Sequence, residues 1–174
     1  MTAESLRTLI LVRHAKSAYP RGVADHERPL AARGEREAAL AGACIAERWT
    51  SIDRILCSTA ERTRQTAAVA GLAAVPSAPV TYTDDIYDAY PDELEDLIRT
   101  VDPAERTVVL IGHAPGLPGL AEDLAGSGSD EAALSRMRGK FPTSAIAVLT
   151  VDGDWAEVGR GATTALVDFV VPRS

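Results

Sequence analysis

Two short runs, Leu9-Ile10-Leu11-Val12 and Val108-Val109-Leu110-Ile111, are apolar at every position. A strand with one wet face alternates apolar and polar side chains, so a run with no polar phase needs cover on both faces. That points to a parallel sheet sandwiched between helices. Each run also ends beside a histidine, Arg13-His14 and Gly112-His113, two of the three in the chain. The carboxyl ends of parallel strands are where open α/β sheets build ligand sites. Between them, Ser58-Thr59-Ala60-Glu61-Arg62-Thr63-Arg64-Gln65-Thr66 reads as a strand-to-helix turn carrying arginines. Two imidazoles and several guanidiniums meeting in one crevice suit a phosphoryl group. One imidazole can attack phosphorus while the other groups offset the oxygen charge.

The remaining pattern alternates strands and helices. Thr8 to Val12, Arg54 to Cys57, Val80 to Tyr82 and Thr107 to Ile111 read as strands, with Pro76 and Pro79 framing the third. The long polar loop to Pro29 has the length of a functional loop. Ala32 to Trp49 reads as a helix with Ala38, Ala41, Ile45 and Trp49 on one stripe. Ser58 and Glu61 have the spacing of a capping box opening a helix to about Leu72. Asp92 to Val101 is helical, with Leu94, Leu97, Ile98 and Val101 inward. Leu117, Leu120 and Leu124 share a face of the helix after Pro115, and a short helix spans Asp130 to Met137. Ala145 to Val151 is a strand, and Asp152-Gly153-Asp154 reads as a hairpin turn into strands at Trp155 to Val158 and Ala165 to Val170. The expectation is one domain over residues 1–174, a three-layer α/β/α sandwich with a mostly parallel central sheet and an antiparallel element near the C-terminus.

Composition narrows the classes. The net charge of −7 argues against a general nucleic-acid or membrane-surface binder, though a basic pocket can sit on an acidic body. Cys44 and Cys57 read as two buried free thiols, with a disulfide left open. No cluster has zinc spacing, so no metal or other cofactor is expected. The first apolar run is too short for a signal peptide and no stretch reaches membrane-spanning length, which makes a cytoplasmic location the default.

Five segments in order carry a family resemblance. Leu11 to Ser17, Asp25-His26-Glu27-Arg28-Pro29-Leu30 with Gly34, Ser58 to Thr66, Ile111 to Leu117, and Lys140-Phe141-Pro142-Thr143 resemble the motifs of the histidine phosphatase superfamily. This is the phosphoglycerate-mutase-like fold, and the match is nearest the SixA-type phosphohistidine phosphatases. The resemblance implies His14 as nucleophile, with Arg13 and Arg62 gripping phosphoryl oxygens through fork geometry. Its other ring nitrogen must stay protonated, which needs an acceptor such as a backbone carbonyl. His113 is expected to offset charge as an imidazolium. Arg64 is left solvated or facing substrate. Ser17 either donates to phosphate or caps a turn, Lys16 is a rim or solvated lysine, and His26 is an exposed loop histidine. Asp25 and Arg28 are expected to brace the loop, and Ser58 to cap the helix. Ala15 departs from the Gly that most of the superfamily has there.

The general acid is the open position. Asp88 aligns best with the acid of the superfamily's phosphomonoesterases and reads equally well as a turn residue before Pro91. SixA-type members typically lack a strong acid, which suits a labile P–N bond whose imidazole leaves more readily than an alkoxide. The expected activity is therefore hydrolysis of protein phosphohistidine through a phosphohistidine on His14. The alternative is a small-molecule phosphomonoesterase with Asp88 as acid. A mutase needs more enclosure than this chain can build, and a silent phosphate-binding module fits poorly with intact Arg13, His14, Arg62 and His113. Expected partners are a phosphorylated protein or small phosphorylated substrate, with inorganic phosphate or vanadate competing for the pocket, and neither nucleic acid nor membrane.

Overall fold

The computed structural model describes residues 6–75 and 78–173. Among these residues six strands form one sheet in the order β3-β2-β4-β1-β5-β6. They are β1 (Leu6–Arg13), β2 (Arg54–Ser58), β3 (Val80–Thr83), β4 (Thr107–Gly112), β5 (Ile146–Asp152) and β6 (Thr163–Val170). The first four run parallel; β5 is antiparallel to β1, and β6 is antiparallel to β5. Among the described residues five helices cover it: α1 (Ala32–Arg48), α2 (Glu61–Val69), α3 (Pro91–Ile98), α4 (Gly116–Asp123) and α5 (Glu131–Gly139).

The apolar runs do what their pattern demands. Successive strand side chains point to opposite faces. Leu9 and Leu11 pack with Leu94, Ile98, Leu117, Leu120 and Met137 from α3, α4 and α5. Ile10 and Val12 pack on the other face with Ala41, Ile45 and Ala67 from α1 and α2. Both faces of the central strands are thus dry, and the fold is the three-layer sandwich. Each fully buried Leu or Ile contributes roughly 1.5–3 kcal/mol by area.

Close packing also positions the loop after β1. The amide of Ala31 donates to the carbonyl of Lys16 at 2.9 Å. A Cβ on Gly34 would stand 2.0 Å from that carbonyl oxygen, so only glycine lets α1 seat against the loop.

Four local expectations are corrected. Trp155 to Val158 is not a strand; Trp155–Glu157 is a 3-10 turn. The Trp155 indole is wholly buried and donates to the carbonyl of Glu105 at 2.7 Å, so burial of a large ring with a polar tip overrides the alternating pattern. Asp152-Gly153-Asp154 therefore opens a longer connection, across which Asp152 pairs with Thr163. The Ser58–Glu61 capping box does not form either. The N-cap of α2 is Ala60, with no side-chain cap bond. Pro76 lies outside the described residues. Cys44 and Cys57 are free; Cys57 is buried as expected, with its thiol pushed up to about 12 by burial, whereas Cys44 is only half-buried. Among the described residues no helix is long and apolar enough to cross a membrane.

Candidate active site

The parallel register of β1 and β4 sets Arg13 beside Gly112. The next residue on each strand is a histidine, and the amide of His14 donates to the carbonyl of Gly112 at 3.0 Å. The two rings lie 5.2 Å apart between centroids. Both side chains are more than nine-tenths buried.

His14 is held in one tautomer. Its Nδ1 donates to the carbonyl of Ala15 at 2.8 Å, which leaves the lone pair on Nε2. Ala15 is fixed in turn, its amide donating to Oγ1 of Thr66 on α2 at 3.0 Å. The Ala15 methyl is buried with Leu30 and Ala38, so the departure from Gly is absorbed by packing. Behind the histidine, the amide of Ser144 reaches the carbonyls of Arg13 and His14 at 3.1 and 3.2 Å. Ser144 adopts φ 63° to do so.

His113 bonds the Ser58 hydroxyl through Nε2 at 2.8 Å. Ser58 is thus a site residue that the capping reading concealed. Its Oγ also accepts a 3.3 Å bond from the amide of Ala60. Tyr87 stands edge-on to His113, 5.5 Å between centroids, and edge-on to His26 at 4.8 Å. His26 is half-buried rather than exposed, because its Nε2 also bonds Oγ1 of Thr59 at 2.9 Å.

The two histidines are neutral near pH 7. Burial carries the His14 pKa down to about 4; the Ala15 bond opposes this, and Arg62, Arg13 and Arg28 add to it. Burial, then the nearby His14 and Arg62, carries His113 down to about 3, with Asp25 pulling the other way. The imidazolium expected at His113 belongs to the state with a phosphoryl group beside it, whose charge would raise the pKa. An imidazolium would need an anion beside it.

Arginines surround the pair. Arg62, 6% exposed in the first turn of α2, donates to the backbone oxygen of Asp25 at 2.6 Å and to its Oδ2 at 3.0 Å. Arg28 donates to the other carboxylate oxygen of Asp25 at 2.7 Å and also reaches Ser17 Oγ. Tyr87 donates its hydroxyl to Asp25 Oδ2 at 2.8 Å. The Tyr87 hydroxyl and the two guanidiniums hold the Asp25 carboxyl well below its usual range. Arg13 donates to the carbonyl of Phe141 at 2.7 Å, and its Nε is buried with no partner among the described residues.

Asp25 and Arg28 brace the loop by pairing, as expected, yet the same pair also reaches Arg62 and Tyr87, which sequence spacing does not reveal. Arg64 is exposed, its guanidinium 5.1 Å from the ring of Tyr82. Ser17 is buried and bridges to Leu30. Lys16 is half-buried, its ammonium 5.5 Å from the Tyr19 ring. Asp88 is exposed, next to Tyr87, in a left-handed conformation with φ 55° that Asp tolerates better than most residues. Among the described residues no group of three His, Cys, Asp or Glu side chains is placed to hold a metal ion.

A pair of strand-end histidines ringed by arginines defines a class, and comparison with known proteins agrees on it. Residues 9–108 match the histidine phosphatase superfamily (branch 1), and the chain belongs to that family. Its class is that of phosphatases with a histidine nucleophile. An uncharacterized protein of Mycobacterium tuberculosis is 48% identical over 93% of this chain and 100% of its own length. Among solved structures, the provisionally assigned phosphohistidine phosphatase SixA from Nakamurella multipartitia is 34% identical with a TM-score of 0.85, covering 97% of this chain and 98% of that one. Its counterpart from Agrobacterium tumefaciens is 30% identical with a TM-score of 0.77, covering 96% and 99%. The protein histidine phosphatase SixA complexed with tungstate shares the fold at 23% identity and TM-score 0.75, covering 95% and 97%.

Proposed function

We propose that this chain is a phosphohistidine phosphatase acting on a protein. The observation that carries the reading is the tautomer of His14, a neutral ring whose Nδ1 is tied to a carbonyl and whose Nε2 keeps its lone pair. In the first step a bond forms between His14 Nε2 and phosphorus as the P–N bond of the substrate breaks, and the substrate ring, already protonated on its other nitrogen, takes the electron pair and leaves as neutral imidazole. In the second step water adds to phosphorus, the bond to His14 breaks, and the water proton leaves with inorganic phosphate.

Arg13 and Arg62 hold the phosphoryl oxygens, and Ser17, whose Oγ accepts from Arg28, keeps its own proton to donate. His113 gains a proton, or shares one, as negative charge arrives beside it. The buried Nε of Arg13 and Nδ1 of His113 have no partner among the described residues, and an oxyanion would supply one to such groups. A SixA neighbour bound to tungstate, a tetrahedral oxyanion, supports a phosphate-like ligand, and the names of the two nearer neighbours support a phosphohistidine substrate.

Asp25 is ionised and so is not a proton donor. A leaving imidazole needs less acid than an alkoxide. The second reading, a small-molecule phosphomonoesterase with Asp88 as acid, is favoured only by the position of Asp88 beside Tyr87. Phosphate release from a histidine-phosphorylated protein and from a panel of alkyl phosphates separates the two. The expected result is preference for the protein, with Asp88→Asn nearly silent on it. His14→Ala should lose about 10⁴-fold or more while keeping its fold. Preference for esters with loss in Asp88→Asn establishes the alternative; turnover by His14→Ala removes the nucleophile.

A further inference from the structure

A groove of about 780 Å³ lies along the free edge of β6, between the ends of α1 and α5. Five cations line it: Arg33, Arg48, Arg136, Lys140 and Arg173. Against them stand two carboxylates. Asp168 pairs with Arg48 and Arg136, and the buried Glu37 pairs with Arg33 and Arg173. The groove is thus net positive on a chain of net charge −7. Pro142, Val170 and Val171 add apolar lining, and the ring of Phe169 is buried behind it.

We propose that this groove docks an acidic segment of the phosphorylated protein substrate, an inference that rests on the protein-substrate reading above. Two observations point to a substrate. First, β6 runs in the same direction as β1, so its carboxyl end opens at the end of the sheet where His14 and His113 sit. Second, one short segment joins groove and site. Lys140 and Pro142 line the groove, the carbonyl of Phe141 between them accepts from Arg13, and the carbonyl of Thr143 accepts from Arg173. A bound partner would therefore span both. The chemistry selects a peptide. The four arginines already sit in guanidinium–carboxylate pairs, whose geometry a Glu or Asp side chain reproduces. The lining is aliphatic with no exposed ring on which a base could stack, and the acidic body repels a long polyanion.

The test uses the full chain and two fluorescent phosphohistidine peptides, one carrying a run of glutamates and the other glutamines in their place. The groove variant is Arg48→Glu with Lys140→Glu; the paired glutamine substitutions serve if that variant fails to fold. Fluorescence anisotropy with the unphosphorylated peptides measures docking without chemistry. Wild type should bind the glutamate peptide, the variant should bind it at least about tenfold more weakly, and neither should hold the glutamine peptide. The glutamates should lower KM for wild type alone, with kcat and p-nitrophenyl phosphate turnover unchanged in the variant. Equal binding by wild type and variant overturns the proposal, as does tighter binding of a single-stranded oligonucleotide of equal length. Hydrolysis of neither peptide, with glutamate binding intact, removes the protein-substrate reading and leaves the groove as an acidic-peptide site.

Discussion

Two clusters of arginines meet carboxylates in this molecule under different conditions. Around the histidines, Arg28 and Arg62 converge on the single carboxylate of Asp25, and Arg62 is 6% exposed. Along β6, Arg48 and Arg136 converge on Asp168, and the Arg136 side chain is 52% exposed. In the first cluster the Asp25 carboxylate is 53% exposed, but Arg62 is buried and fixed by several bonds, so its charge acts strongly and needs little reorganisation. The second is screened by water and salt, and its individual pairs contribute little to stability. Burial of the guanidinium, not the number of arginines, distinguishes the candidate site from the proposed docking groove.

The largest effect expected from that difference is on turnover. Arg62→Ala should lower kcat by about 10²–10³-fold, the scale of losing one preorganised charge-stabilising donor. Arg62→Lys should rescue little, because an ammonium cannot reproduce the fork that grips two oxygens. Arg136→Ala should leave p-nitrophenyl phosphate turnover within about twofold of wild type, as for an exposed charge away from the reacting atoms. Steady-state kinetics on the three variants check this, and equal losses at both positions would erase the distinction.

Acid should expose the difference next. The buried histidines are held neutral, at about 4 and about 3, against 6.5 for the free side chain. Between pH 6.5 and those values the unfolded chain binds more protons than the folded one. Stability therefore rises with pH across this window and is lost as pH falls through it. The drop at His14 alone corresponds to about 3 kcal/mol when fully expressed. Urea midpoints from pH 7 to pH 4 should fall in wild type and fall less in His113→Asn, which removes one of the two groups. Vanadate should protect wild type by giving the histidines a counter-charge. A wild-type midpoint flat across this range would mean the histidines are not held neutral.

Much of the buried cluster was legible before folding because its parts sit at strand ends. Apolar runs without a polar phase imply two-sided cover, and a histidine at the end of each implies a shared crevice. Arg62 was legible as the inward arginine only through the family motif; composition alone could not separate it from Arg64, and α2 turns one inward and the other toward Tyr82. Ser58 was misread because a capping motif and a tertiary partner compete for one hydroxyl, and His113 wins. Trp155 was misread because alternation cannot tell a strand from a turn that buries one large ring. The exposed groove was not legible at all. Arg33, Arg48, Arg136, Lys140 and Arg173 lie in three separate stretches of sequence, and only the packing of α1 and α5 about β6 gathers them.

The finest test of the comparison is salt. A charge pair exposed to water weakens as the screening length shortens, from roughly 14 Å at about 0.05 M to roughly 6 Å at about 0.3 M. Glutamate-peptide binding along β6 should therefore weaken by about tenfold across that range. Vanadate inhibition should change by less than about threefold, because Arg62 and Arg13 meet the oxyanion at contact distance, with Arg62 and both histidines more than nine-tenths buried. Inhibition constants and anisotropy titrations on one preparation give both slopes. Parallel slopes would mean that water reaches the histidines as freely as it reaches β6, and the contrast between the two clusters would then rest on geometry alone.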